Sequence, residues 1–481
     1  RLKKHFDFDP EAVEDELREM THGNKLRSFF PWRLYFADVF RGKGGFDVVL
    51  ANPPYIQLQK NGGALANMYE KCGYATFERT GDIYALFYEQ GTNILRHHGV
   101  LCFITSNKWM RAGYGKSLRT FFLKHNPRLL IDLGPGIFES ATVDTNILIM
   151  QKAGTTPASL RVDAVTLTEE AKNGGIASYI KANRTRLTTL SENAWFIGST
   201  AEQRLKEKIE RVGKPLKDWD VNIHRGVLTG LNEAFIIDTP TKERLCAEDP
   251  KSAQILKPIL RGRDIRRYSY DWKGLWVVAT FPALHVDIHQ YPAVKKHLLN
   301  FGRERLEQAG KTLANGTKSR KKTGNKWFET QDQIGYYPEF KKEKVVWKAL
   351  SLEPAFSLVP SGFFNNDKAN LLTSKKNDTK YLCALMNSKL FQFYFSSIGV
   401  SMGAGYEYKI QFVEKIPFPP IASANQLTAS HIEELVDSIL SAKKENLQAD
   451  TQELEREIDQ MVYQLYGLTE EEIRIVEEAT E

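Results

Sequence analysis

The 481 residues carry 66 Lys and Arg against 59 Asp and Glu, a formal net charge of +7, with 42% hydrophobic residues. A chain of this length buries two or three ordinary cores, which disfavours a single compact domain. It contains no run of about 18 apolar residues that would span a bilayer, and its charged opening RLKKHFDFDPEAVEDELREM is unlike a secretory signal, so a cytoplasmic protein without a membrane partner is expected.

Charge is unevenly spread. From Gln426 to Glu481 there are 4 Lys and Arg against 15 Asp and Glu, a net −11, which leaves +18 on the other 425 residues. Within that basic body, Lys295 to Lys348 holds 14 basic and 6 acidic residues, and the run Lys318, Arg320, Lys321, Lys322 and Lys326 among Gly, Asn and Thr reads as a flexible basic loop. The cysteines, Cys72, Cys102, Cys246 and Cys383, form no close pair. Neither a disulfide framework nor a thiolate metal site is implied, and core thiols are expected.

In chain order, FDVVLA (46–51) has the apolar pattern of a buried strand, a helical stretch runs from Asp82 to Arg96, and VLCFITS (100–106) is a second strand. Ser117 to His125 is helical, LLIDLG (129–134) is a strand, and NILIMQK (146–152) is a further, antiparallel strand. This βαβ pattern predicts an α/β, Rossmann-like core, whose ligands bind beyond the C-terminal strand ends; the loop after Ala51 is the first place to look for chemistry. Residues 1–155 are assigned to that core and the polar stretch 156–193 to a connection. Residues 194–425, with short β-rich runs such as LWVVAT and KVVWKAL, read as a mixed α/β domain, and 426–481 as C-terminal helices. In these helices Ile432, Leu435, Val436, Ile439 and Leu440 share one face, Leu454, Ile458, Met461, Val462 and Leu465 another, and Thr469 with Glu472 makes a capping box.

The strand FDVVLA runs directly into Asn52, Pro53, Pro54 and Tyr55. Two prolines stiffen the loop and give up two donors, leaving carbonyls free to accept. The exocyclic nitrogen of adenine is a poor nucleophile because its lone pair is delocalised. Acceptors on its two N–H bonds, Asn52 Oδ1 and the Pro53 carbonyl, would draw it towards a reactive tetrahedral form. A base inside a duplex is reached only when flipped out and held by stacking, a task that suits Tyr55. The same letters also serve as an ordinary turn, and it is the preceding strand that favours chemistry.

With this loop the sequence resembles the N6-adenine DNA methyltransferases of type IIG restriction-modification systems with a TaqI-like specificity domain, and the resemblance covers nearly the whole chain. It implies site-specific adenine N6 methylation of double-stranded DNA with S-adenosylmethionine as donor. YFADVF (35–40) resembles the strand-end acidic motif, which implies cofactor contacts from Asp38, Val39 and Phe40 together with Asn52; Asp38 also suits a plain turn. LGPGIFESATVDTNILIMQK (133–152) resembles the last catalytic-domain motif, making Phe138 the second stacking aromatic. HRGVLTGLNEAFIID (224–238), LKPILRGRDIRRY (256–268), FNNDKANLLT (364–373), MNSKLFQFYFSS (386–397) and AGYEYKIQFVEKIPFP (404–419) resemble signature stretches of the target-recognition domain. There, DNA contacts are expected from Arg225, Arg261, Arg263, Arg266, Arg267, Lys318, Arg320, Lys321, Lys322, Lys368, Tyr406 and Lys409.

One family feature is missing. The glycine-rich cofactor turn has no counterpart, because the residues before Tyr35 offer only Gly23. The expectation is a fragment with weak or no methyl transfer alone, partnered by an N-terminal cofactor half of the same enzyme. A catalytically silent DNA-reading subunit is the main alternative, and methylation of RNA or protein by the same loop is a third. The family's nuclease module, by contrast, has only a weak candidate in Glu339 and Lys341 after Asp332.

Overall fold

The computed structural model describes residues 14–15, 18–20, 30–134, 136–138, 143–153, 160–172, 174–188, 190–376, 378–402 and 405–480; Gly23 lies outside the described residues. Helix α1 (Ala37–Lys43) ends on Gly44, whose φ of 79° is the left-handed cap that glycine adopts without strain. Gly45 then passes so close to the chain at Ile94 and Arg96 that a Cβ would sit 2.6 Å from their backbone atoms. Here β1 (Phe46–Ala51) begins, followed by α2 (Tyr84–Ile94), β2 (Leu95–Ser106), α3 (Gly115–Phe122), β3 (Asn126–Gly134), β4 (Thr145–Gln151), β5 (Val162–Thr166) and β6 (Thr185–Leu187).

These strands form one sheet in the order β1-β2-β4-β3-β5-β6. β1 runs parallel to β2, and β4 is antiparallel to both of its neighbours. Tyr84, Tyr88, Phe103, Trp109, Phe122, Leu148 and Trp195 pack one core against the sheet. Burial of each such side chain contributes about 1.5–3 kcal/mol, which overrides the modest helix propensity of the aromatics in α2 and α3.

Three expectations change. Among the described residues β1 is an edge strand, with Val48 54% and Leu50 70% exposed, so its apolar residues are not buried on both faces. Residues 156–193, expected as a connection, supply β5 and β6 to the same sheet, because the alternating VDAVT pairs parallel with β3. Of the cysteines only Cys383 is buried, while Cys72 is exposed and the other two are half-buried.

Beyond the sheet, β7 (Val221–Arg225), β8 (Ile236–Asp238), β9 (Leu256–Leu260), β10 (Leu275–Val278), β11 (Lys344–Lys348), β12 (Phe356–Val359), β13 (Phe364–Asn365) and β14 (Ala369–Ser374) follow. They form two four-stranded sheets, β13-β9-β10-β8 and β12-β11-β14-β7. Helices α4 (Thr379–Asn387) and α5 (Lys389–Ile398) lead into a hairpin of β15 (Val400–Met402) and β16 (Gly405–Glu407). The last helices are α6 (Gln426–Glu445), α7 (Gln452–Leu465) and α8 (Glu470–Glu478). Ile432, Val436, Ile439, Ile458 and Val462 are buried in the core formed by α4 and α5, and Thr469 and Glu472 make the expected capping box. Complementary charge reinforces this docking: Arg267 pairs with Glu455, Lys389 with Glu477, Lys208 with Glu472 and Lys380 with Asp437. The acidic tail therefore neutralises part of the basic body. No helix among the described residues is long and apolar enough to cross a membrane.

Candidate active site and nucleic-acid interface

Asn52 leaves the C-terminal end of β1 one residue after Ala51 pairs with Phe103 of β2. The loop that follows is fastened to the entry of α2. Ile56 N donates to Asp82 Oδ1 at 2.8 Å, Leu58 N to Gly81 O and Ile83 N to Ile56 O, both at 3.0 Å. Pro53 is buried, whereas Asn52 and Pro54 are exposed. Among the described residues neither the Asn52 amide nor the Pro53 carbonyl has a hydrogen-bond partner, so both acceptors are available to an incoming amino group.

The half-buried Tyr55 donates its hydroxyl to Ile104 O at 3.3 Å, and its ring meets Tyr84 edge-on. Burial, with a smaller contribution from the Asp82 charge, pushes its pKa up to about 12, so it is a neutral aromatic surface and not a base at physiological pH. Burial likewise raises the Asp82 carboxyl, opposed by the N–H groups of Ile56, Tyr84 and Ile83. Phe138 lies across from Tyr55, with ring centroids 6.2 Å apart and planes inclined by 61°. A base sandwiched between parallel rings needs about 7 Å between them, at ~3.5 Å per contact, so the pair must turn and part slightly to admit one.

The residues expected at the cofactor fit less well. The YFADVF motif is helical here and not a strand end: Asp38 occupies the exposed first turn of α1. Val39 is half-buried beside it. The Phe40 ring is engaged by Phe46 at 5.7 Å and by the Arg33 guanidinium at 5.5 Å. Asp38, Val39 and Phe40 therefore stand on a helix ahead of β1 and not at the end of a strand.

The expected DNA contacts divide sharply. Arg320 is 3% exposed and donates to the carbonyls of Leu306, Thr229, Glu329 and Trp327 at 2.6–3.0 Å. It braces the loop that the sequence marks as flexible, and burial lowers its pKa to about 10. Arg267, with its guanidinium against the Tyr268 ring and paired to Glu455, holds α7 in place. Neither is a free DNA contact. Arg261 is committed to Asp264 through Nε and Nη2 at 3.0 and 2.9 Å, and Arg225 is paired with Asp332 while half its surface remains open.

Arg263, Arg266, Lys318, Lys321, Lys322, Lys368 and Lys409 are exposed, and Tyr406 is half-buried on β16. Lys368 and Lys409 pair with their neighbours Asp367 and Glu407. Burial, and then the adjacent Arg266, lower the pKa of Lys348, a cation that the sequence pattern did not single out and that sits beside the expected contacts. Asp332 and Glu339, the nuclease candidates, are engaged by Arg225 and by Thr373 with Lys342, and no group of His, Cys, Asp and Glu suited to a metal occurs among the described residues.

Two other positions were not legible as functional: Asp82, which anchors the loop, and the contact between Ser401 and Asp144 that joins the domains. The first sits in a Gly-Asp turn before a helix, a signal for a cap alone. The second spans 257 positions of sequence and leaves no local signal.

Residues 3–138 match the Eco57I restriction-modification methylase family, and residues 257–418 match the TaqI-like C-terminal specificity domain. The Type II methyltransferase M.PaeR7I of Pseudomonas aeruginosa is 24% identical over 459 residues, covering 89% of this chain and 72% of that protein. The Type II methyltransferase M.BstVI of Geobacillus stearothermophilus is 23% identical, covering 91% of this chain and 76% of that one. Among solved structures, the Type IIL restriction-modification enzyme MmeI in complex with DNA superposes with a TM-score of 0.58 at 14% identity, and the chain covers 56% of it while 90% of the chain itself is matched. A methylase segment followed by a specificity domain, with methyltransferases as relatives, defines a DNA methyltransferase. The chain thus carries an Eco57I-type methylase segment and a TaqI-like specificity segment, and Type II methyltransferases are its relatives over most of its length. The methyltransferase relatives imply S-adenosylmethionine as the methyl donor.

Proposed function

We propose that the chain carries out the acceptor side of adenine N6 methylation in double-stranded DNA within a restriction-modification system. The observation that carries this reading is the pair of unpartnered acceptors, Asn52 Oδ1 and the Pro53 carbonyl, at a strand end where the Tyr55 and Phe138 rings meet. A flipped adenine enters between the rings, its amino group donates to both acceptors, and nitrogen lone-pair density becomes available for attack. Positioning and stacking supply the catalysis, with no titrating base. Arg263, Arg266, Lys318, Lys321, Lys322 and Lys368 meet phosphates, and the half-open Arg225 and Tyr406 remain candidates for base reading.

S-adenosylmethionine would be held by a cofactor half that covers the open edge of β1. Val48 and Leu50, with the neighbouring exposed Leu34, Tyr35 and Phe36, form an apolar edge of the kind that proteins keep covered. The isolated chain is accordingly expected to bind DNA and to transfer methyl groups weakly or not at all. In the intact enzyme, Asn52→Ala should lower the single-turnover methylation rate by at least about 10²-fold, as when a polar group is removed from the reacting centre, and Tyr55→Ala by about 10- to 100-fold, as when a stacking contact is lost, with DNA affinity retained in both. Hydrolysed product should contain N6-methyladenine. Methylation left intact by both substitutions, or a product other than N6-methyladenine, would overturn the proposal.

A further inference from the structure

A cavity of about 550 Å³ opens between the turn that leads into β7, the start of α4 and helix α6. It includes no residue of the NPPY loop and none of the expected DNA contacts. Four carboxylates, Asp218, Asp220, Asp378 and Glu433, line it against two ammonium groups, Lys214 and Lys376. Trp219, Pro420 and Ile421 add apolar surface between them.

Asp378 is the unusual member. It stands at the N-cap of α4, where an aspartate ordinarily accepts from the first N–H groups of the helix, yet its side chain makes no capping hydrogen bond. The residue is 7% exposed, and its Oδ1 is shut off from solvent without a hydrogen-bond partner. The lysines nearby are engaged elsewhere. Lys380 holds Asp437 at 2.8 Å, and Lys375 and Lys376 reach Asp220 at 3.9 and 3.8 Å. Burying a carboxylate without a donor is costly, and a group left in that state marks a place where something outside the chain completes it.

Glu433, half-buried on α6, looks into the same cavity. Burial raises its carboxyl pKa; Lys380 opposes the rise, while the charges of Asp378 and Asp437 add to it. The acidic tail, which elsewhere docks by ion pairs, here sets carboxylate beside carboxylate. Among the described residues no group of His, Cys, Asp and Glu is arranged to hold a metal ion. Four carboxylates and two ammonium groups leave two negative charges on the lining, the complement of a dication, and the apolar surface between them suits a carbon chain.

We infer that this cavity binds a free aliphatic diamine, one ammonium group donating to Asp378 and Glu433 while its methylene chain lies along Trp219 and Ile421. The inference is independent of the methylation reading above.

The test is calorimetric titration of the intact enzyme, free of DNA, with putrescine. Binding with a dissociation constant of about 0.1–1 mM is expected. Saturating putrescine should raise the melting temperature by about 2–5 °C, and sodium chloride at matched ionic strength should not. Asp378→Asn should weaken binding at least about tenfold, because a hydrogen bond to a charged acceptor is lost. Without ligand it should melt at or above the wild-type temperature, since the amide removes a buried charge that has no partner. Glu433→Gln, at a half-buried position, should also weaken binding, by about threefold or more. Absence of putrescine binding, or wild-type affinity in both variants, would overturn the inference. Magnesium, tetramethylammonium or Nα-acetyl-lysine amide bound as tightly as putrescine would overturn it too, by pointing to a metal, to bare charge or to the lysine of a partner. An Asp378→Asn protein that melts well below the wild type without ligand would show that the carboxylate is held within the chain, and would equally overturn it.

Discussion

Replacing Arg320 by alanine separates the two roles that a basic loop can have. The guanidinium donates to four main-chain carbonyls, from Thr229, Leu306, Trp327 and Glu329, and lies 4.9 Å over the Phe235 ring. Hydrogen bonds to a charged group contribute about 1.5–3 kcal/mol each, but four made by one side chain do not add, and truncation also removes the cost of burying the cation. What remains is four acceptors short of a donor and a void beneath Phe235, for a net loss of about 3–5 kcal/mol. In a domain of this size that lowers the melting temperature by roughly 6–20 °C. Calorimetry on Arg320→Ala measures this directly. Salt titration of DNA binding at a temperature where the variant is folded should give the wild-type slope. Lys321→Ala and Lys322→Ala should behave in the opposite way, with unchanged melting and a slope of log affinity against log salt reduced by about one for each phosphate left without its cation. An Arg320→Ala protein that melts like the wild type and loses one unit of salt slope would refute the assignment of this arginine to the fold.

Arg267→Ala should cost about 2–4 kcal/mol, because it leaves Glu455 unpaired beside Asp459, whose carboxyl burial already pushes up to about 6; limited proteolysis should then release α7 and α8 faster, and unaltered cleavage would count against the clamp. Lys344 is wholly buried in β11, donating to Lys342 O and Pro360 O, and burial pulls its pKa down to about 7 from 10.5. Between those values the unfolded chain binds a proton that the folded chain does not, so stability should rise with pH from 7 towards 10, by up to about 1.4 kcal/mol per unit. Denaturant unfolding at pH 7 and pH 9 should show this rise in the wild type and not in Lys344→Met, and parallel pH dependences would exclude it.

The α/β core is legible in the sequence because the runs 46–51, 100–106, 129–134 and 146–151 are short and apolar and fall within its strands. β1 was misjudged for a physical reason: FDVVLA looks the same whether a neighbour covers it or not, and only pairing shows that Val48 and Leu50 are open. Asn52 and Tyr55 could be singled out because a proline pair at a strand end is a local signal, whereas Phe138 stood out only through the resemblance of residues 133–152 to a family motif. The meeting of Tyr55 and Phe138 at 6.2 Å required the sheet. Arg320 and Lys321 are adjacent and chemically similar, yet one is a brace and the other a solvated cation, because a loop carbonyl's need for a donor is invisible in composition.

The two sides of the NPPY loop are unequal, and this bears on how such an enzyme controls its reaction. On the acceptor side the loop is fixed by Asp82 and faced by Phe138. On the donor side β1 ends the sheet and Asp38 stands exposed on a helix. On the proposed reading, the acceptor side of the reaction is built by the loop and the two facing aromatic rings, while the methyl donor approaches from the side of β1 and α1.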